Sequence, residues 1–361
     1  MSFPSADVAV GARRLPSRLA FLWRATATTW IPGKGPSLTG SARRAQRRRS
    51  RTLPAVLVAL AGGVGAARLL RGLVAVVPPS DVTAVVNTGD DVVLHGLHVS
   101  PDLDTVTYTL AGAVNPETGW GLAGETWAAM TALERYGGET WFRLGDRDLA
   151  THLYRTQRLR EGASLSTVTV EIARSWGVDV RLLPMSNDRV ETRVAIAGEG
   201  EVGFQEYFVG RRHAVPVSAV RFAGAESAEP APGVLDAVAA AERVVVCPSN
   251  PIVSIGPVLA VPGLLEAVAA RREDVVAVSP IVAGAALKGP ADRMLTELGH
   301  ESSVVGVARL YADIASFLVI DESDEQFVQS VEAEGMRCVV APTVMRTVED
   351  AAALARTVLS C

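Results

Sequence analysis

Cysteine is scarce in this chain. Cys247, Cys338 and Cys361 are far apart and show neither paired metal spacing nor a disulfide framework. They suit a reducing cytoplasm. Aromatic residues reach only 5%, so alanine, valine, leucine and glycine must fill the core, as in parallel strands covered by helices. No apolar run approaches the roughly 18–20 residues of a membrane span. The nearest, Leu15 to Ile31, is broken by Arg18 and Arg24, and it lacks the cleavage site of a secretory signal. The serine elbow G-x-S-x-G and the phosphate loop G-x-x-x-x-G-K-[ST] are also missing, which removes support for a hydrolase triad and for a common NTPase.

Charge is present but unevenly placed. Residues 1–51 hold eleven Lys/Arg and one acid, Asp7. The rest of the chain holds 24 of the 35 basic and 38 of the 39 acidic residues, so the body is acidic and unsuited to non-specific nucleic-acid binding. The basic extension fits a disordered tail, a start assigned too far upstream, or a nucleic-acid-binding arm, although no aromatics interleave its arginines.

From Leu53 the pattern is regular. Leu53–Leu60 is an apolar strand of the buried, parallel type, Ala66–Val77 a helix ended by Pro78-Pro79, and Val82–Val86 a second strand. Helices are expected over Thr126–Tyr136, Leu149–Glu161, Ser166–Trp176 (with a serine N-cap), Val234–Ala241, Pro262–Arg272 and Glu349–Val358. Val190–Ile196 and Val202–Phe208 read as a hairpin, with Gln205 and Tyr207 on one face of its second arm. Arg243–Cys247 and Val275–Val278 are further buried strands, and Phe317–Ile320 and Cys338–Val340 close the alternation. The alternation predicts an α/β, three-layer Rossmann-like fold with a mainly parallel sheet. Residues 52–361 would form one domain with a helical insertion about 115–180.

Chemistry concentrates after the strands. Gly63-x-Gly65-x-x-Arg68 is a partial dinucleotide fingerprint, suited either to cradling phosphate or to a plain tight turn. Asp90 and Asp91 directly follow the second strand, at the edge where ligands gather in parallel sheets. Asp102 and Asp104 follow Pro101. In an extended segment both point the same way and meet Asp91 around one cation; otherwise they belong to a solvated loop or cap a helix that begins near Thr105. With no His/Cys ligand set beside the acids, Mg²⁺ fits better than zinc. Arg143 and Arg147 offer planar forks for an anion or heterocycle, and Asp148 suits an N-cap. Ser249 and Asn250 follow a buried strand, and Lys288 lies in a third polar loop.

Together these segments resemble one family, 2-phospho-L-lactate transferase, which builds the side chain of the deazaflavin coenzyme F(420). The strings that carry it are AGGVGAARLLRGL, VVNTGDDVVLHGLHVSPDLDTVTYTLAG, WGLAGETW, RLGDRDLATHLYRTQ, LLPMSNDRVETRV, FQEYFV, CPSNPIVSIGPVLAVPG and VSPIVAG. The resemblance implies Mg²⁺-dependent transfer of a phospholactyl or phosphoenolpyruvyl group from a guanosine diphosphate-linked donor to a deazariboflavin hydroxyl, releasing GMP. It implies that Asp104 and Arg143 contact the acceptor and that Asp90, Asp91 and Asp104 lie at the metal. Asp104 or Asp91 would serve catalysis, and Gly63, Gly65, Arg68, Ser249 and Asn250 would bind donor. A cytoplasmic homodimer is implied as well.

Two other classes share parts of the pattern. A sugar-nucleotide-binding regulator would carry the glycine turn and the Asn-Thr-x-Asp-Asp string, then a Gly-Gly-Ser-rich stretch that is absent here. A nicotinamide oxidoreductase would want one acid after the second strand rather than a cluster.

Overall fold

The structure, a computed structural model, describes residues 56–361. The expectations for residues 1–51, and for a strand start at Leu53, lie outside the described residues.

Seven strands form one sheet: β1 (Leu57–Ala61), β2 (Val82–Val86), β3 (Arg181–Pro184), β4 (Arg243–Val246), β5 (Val275–Val278), β6 (Phe317–Ile320) and β7 (Arg337–Val340). Their order is β7-β6-β5-β4-β1-β2-β3, and every pairing is parallel. Leu57 faces Val82 on one side and Arg243 on the other. β1, β2, β4, β5 and β6 are buried at every residue, as both-face coverage requires.

Helix α1 (Gly63–Val74) buries Ala66, Ala67, Leu69, Leu70 and Leu73. With α2 (Pro101–Leu110) and the C-terminal helix Val348–Ser360 it covers the face presented by Leu57, Ala59 and Ala61. The crossing of α1 with the C-terminal helix is tight. A Cβ on Gly72 would fall 2.2 Å from the Ala351 carbonyl oxygen, so glycine sets the approach. The strand order grows outward from β1 in both directions. Between β1 and β4 successive connections part, the position beyond the strands' carboxyl ends at which open parallel sheets bind ligands.

Between β2 and β3 the chain also forms α3 (Ala128–Glu134), α4 (Asp148–Arg160) and α5 (Leu165–Ser175). The cap of α5 is Ser164, whose hydroxyl accepts from the Thr167 N–H at 3.2 Å. One expectation fails. The hairpin's second arm ends at Gly203, and Glu206–Gly210 forms a wide helical turn, so Gln205 and Tyr207 do not share a strand face. The aromatic spacing suggested alternation. Tertiary packing overrides it, because the Tyr207 hydroxyl meets Arg293 at 3.1 Å. The hairpin's first arm, Glu191–Ile196, gains a further partner, Val217–Ala223.

Candidate active site at the carboxyl edge of the sheet

The site begins where β1 ends. Gly62 is extended, and Gly63 takes φ +71°, a conformation that favours glycine. A Cβ on Gly65 would lie 2.2 Å from the Pro248 carbonyl oxygen. That contact joins the β1 and β4 loops at the switch point. Ser249 completes the joint by donating its hydroxyl to the Gly62 carbonyl at 2.8 Å. Asn250 accepts from the Ile252 and Val253 N–H groups at 2.9 and 3.4 Å and so starts the next helical turn. Gly63, Gly65, Ser249 and Asn250 therefore meet in one place, though much of their polar capacity holds the loops. Arg68 projects from α1 and donates to the Met345 carbonyl at 3.1 Å.

The β2 loop supplies the acids. Asn87 accepts from the Gly89 N–H at 2.8 Å, which turns the chain and points Asp90 inward. Asp102 is the second residue of α2, not part of an extended loop. It accepts from the Gly63 N–H at 2.8 Å and from Asn87 Nδ2 at 2.9 Å. The glycine turn thus already has a carboxylate at its mouth. Burial pushes the Asp90 carboxyl well above its usual range, and the charge of Asp102 pushes it further. Burial likewise raises Asp102 to about 6, against hydrogen bonds from Asn87 and Gly63. Asp91 Oδ2 accepts from the Ser100 hydroxyl at 2.6 Å and lies 3.1 Å from His98 Nε2. Asp90 Oδ1 and Asp91 Oδ1 are buried without a hydrogen-bond partner. Unpaired, buried carboxylate oxygens are costly, and a hard cation satisfies them. The residues present therefore fit Mg²⁺.

Asp104 goes elsewhere. Residues two apart on a helix diverge by about 200°. So Asp102 turns to the glycine loop, while Asp104 turns to α4. The extended segment expected to bring Asp102 and Asp104 together to Asp91 is a helix instead, and with it the expected grouping of Asp104 with Asp90 and Asp91 loses its basis. Asp104 instead receives both ends of the Arg155 guanidinium: Nη2 bonds to Oδ1, and Nη1 lies 3.1 Å from Oδ2. Arg155 is 2% exposed. Burial opposes its charge, but Asp104 outweighs burial and keeps its pKa above the usual value. Around the pair, His152 Nδ1 lies 3.3 Å from Arg155 Nη1, and Tyr108 donates to Asp148 at 2.5 Å. Asp104, Asp148 and His152 place ligand atoms within 4.8 Å of one another. That compactness follows from the arginine and tyrosine already among them. Asp148 is the first residue of α4 rather than its N-cap.

Sequence reasoning overlooked Arg155, Ser100 and His98. Ser-Pro-Asp at positions 100–102 was the available signal, since serine at N-cap and proline at N1 mark a helix start. Arg143 is exposed and lies over the Trp127 ring at 5.0 Å. Arg147 donates its side chain to the Ala123 carbonyl. Glu125 accepts from the Arg147 and Asp148 N–H groups, both at 2.8 Å, while Asp146 accepts from Ala128 and Ala129 at 2.8 and 2.9 Å. This reciprocal capping fixes the loop that presents Arg143.

The family described as 2-phospho-L-lactate transferase CofD matches residues 57–357. The chain belongs to that family. It is a transferase of phosphate-containing groups. Among its relatives, the phosphoenolpyruvate transferase of Kitasatospora aureofaciens is 51% identical over 310 residues, covering 84% of this chain and 97% of its own. Those of Thermobifida fusca and Mycolicibacterium smegmatis are 46% and 41% identical, each covering 83% of this chain and 95% and 96% of their own. A crystal structure of a UPF0052 family member from Bacillus halodurans superposes with a TM-score of 0.54 over 84% of this chain and 98% of that one, at 16% identity. That likeness bears on the fold alone, and it agrees with the Rossmann-like sheet.

Proposed function

We propose that this member of the family transfers a phosphoenolpyruvyl or phospholactyl group from a guanosine diphosphate-linked donor to the hydroxyl of 7,8-didemethyl-8-hydroxy-5-deazariboflavin. GMP leaves, and the step belongs to coenzyme F(420) biosynthesis. The observation that carries this reading is the pair of partnerless oxygens on Asp90 and Asp91, beside a glycine turn at the sheet's switch point. The shared name of the relatives favours the phosphoenolpyruvyl donor.

Asp90 and Asp91 would hold Mg²⁺, with Asp102 adjacent. When bound, the ion supplies charge neutralisation at a diphosphate. The chain's own residues do the rest. Gly65 lets the β1 and β4 loops close, Ser249 ties them together and Asn250 shapes the β4 loop. The donor is assigned to Gly63, Gly65, Ser249 and Asn250 on the family resemblance. Asp104 and Arg143 are assigned to the acceptor on the family resemblance. As folded, Asp104 gives both oxygens to Arg155, so its use as a base requires that pair to open. Asp91 would offer its one free oxygen to the ion, and its other is held by Ser100 and His98, so neither acid is a free base as folded. A homodimer in the reducing cytoplasm, with three unpaired thiols, completes the proposal. The regulator alternative retains only the shared core in its favour.

Incubating the protein with Mg²⁺, the deazariboflavin and each donor in turn tests the reading. GMP release, faster with the phosphoenolpyruvyl donor, is expected. No release with either donor, alongside tight nicotinamide binding, would overturn it.

A further inference from the structure

Arg68 and Lys288 come from unrelated segments. Arg68 lies on α1, and Lys288 lies in the loop that leads to the helix Ala291–Glu297. Among the described residues neither is paired with a carboxylate. Arg68 donates to the Met345 carbonyl at 3.1 Å, and Lys288 Nζ to the Thr118 carbonyl at 2.7 Å. Thr118 leads into Gly119, which takes φ +76°. A Cβ there would lie 2.9 Å from Val64 Cγ1 and 3.2 Å from Lys288 Nζ. Three segments therefore converge on the first turn of α1 and bring the lysine with them. Partial burial lowers the Lys288 pKa, and the neighbouring Arg68 charge lowers it further. Two cations held within each other's field cost free energy, and an anion between them recovers it.

We propose that Arg68 and Lys288 form an oxyanion site for a multiply charged phosphate or phospho-acid. Lys288 and Val64, the residue after Gly63, meet at Gly119, and Arg68 follows one helical turn later. The site therefore adjoins the glycine turn, and its side-chain cations would meet the donor's anionic end there. The identity of the ligand as the donor rests on the transferase reading above. The shared chemistry is a cluster of anionic oxygens, found both in the donor's phosphates and in the acid end of the transferred group.

Calorimetric titration of the full chain without Mg²⁺ tests the site, using inorganic pyrophosphate, phosphoenolpyruvate and GMP as separate probes. Lys288→Ala is expected to weaken at least one probe about tenfold, the cost of one lost charge-assisted bond, and Lys288→Arg to restore most of it. The loss should shrink as salt rises. A loss confined to phosphoenolpyruvate assigns the site to the transferred group, and a loss confined to GMP assigns it to the nucleotide phosphate. Lys288 is exposed, so the variant should unfold at the wild-type temperature. Equal binding of all three probes by Lys288→Ala and wild type would overturn the site, as would no binding of any probe to wild type at millimolar concentration. The two proposals separate cleanly. If no donor releases GMP but Lys288→Ala loses a probe, the site stands and the reaction falls. If GMP is released and Lys288→Ala keeps the wild-type KM for donor, the reaction stands and the site falls.

Discussion

Asp102 and Asp104 are separated by one residue on the same helix, yet they end in opposite electrostatic settings. Asp104 is matched from within the chain: Arg155 meets both its oxygens, and His152, Asp148 and Tyr108 close the network. Asp102 joins Asp90 and Asp91, where two oxygens go unbonded. Burial raises the Asp104 carboxyl as it raises Asp90 and Asp102, but only at Asp104 do the Arg155 and His152 charges oppose the rise. One cluster carries its own counter-ion, although His152 Nε2, 3.3 Å from Asp148, is not hydrogen-bonded. The other is short of positive charge. Buried acids of both kinds look alike in a composition or a motif, and the presence of an internal counter-ion separates a framework from a cation site.

Breaking the cluster that holds its own counter-ion should have the largest effect on stability. Arg155→Met leaves Asp104 buried without its partner and should cost about 3–5 kcal/mol in denaturant unfolding, whether or not Mg²⁺ is present. A cost below about 1 kcal/mol would mean that the guanidinium does not carry that network. Asp90→Asn acts on the other cluster and should invert the pattern. Turnover should fall on the order of 100-fold, while the metal-free protein stays as stable as wild type or gains stability as repulsion is relieved. Loss of stability with activity retained would contradict this. Chelation gives a third contrast. Mg²⁺ should raise the unfolding temperature of wild type and of Arg155→Lys, but not of Asp90→Asn, by the ordinary linkage of binding to folding. The smallest effect belongs to Ser100→Ala. It removes a 2.6 Å donor to Asp91 and should cost about 1 kcal/mol, with a modest loss of metal affinity. No change in either would show that Asp91 is oriented without it.

The sheet was legible because buried parallel strands appear as unbroken apolar runs. Val82–Val86, Val275–Val278 and Phe317–Ile320 fall where the pattern puts them. The density of aspartates after β2 was legible too, and so was its place at the sheet's carboxyl edge. How the acids sort was not. That depended on Ser100-Pro101 opening a helix instead of an extended loop, and on Arg155, whose partner Asp104 lies 51 positions away in the chain. Local pattern carries no information about such a pairing. The wide turn at Glu206–Gly210 was hidden for the same reason, because its tyrosine answers to Arg293 on a distant helix.

Substituting Mn²⁺ for Mg²⁺ and locating the ion by anomalous scattering in a crystal of the full chain addresses the distinction between the clusters directly. The account predicts a single peak bridged by the free oxygens of Asp90 and Asp91, with the Asp104–Arg155 pair intact. A peak among Asp104, Asp148 and His152, with Arg155 displaced, would contradict it.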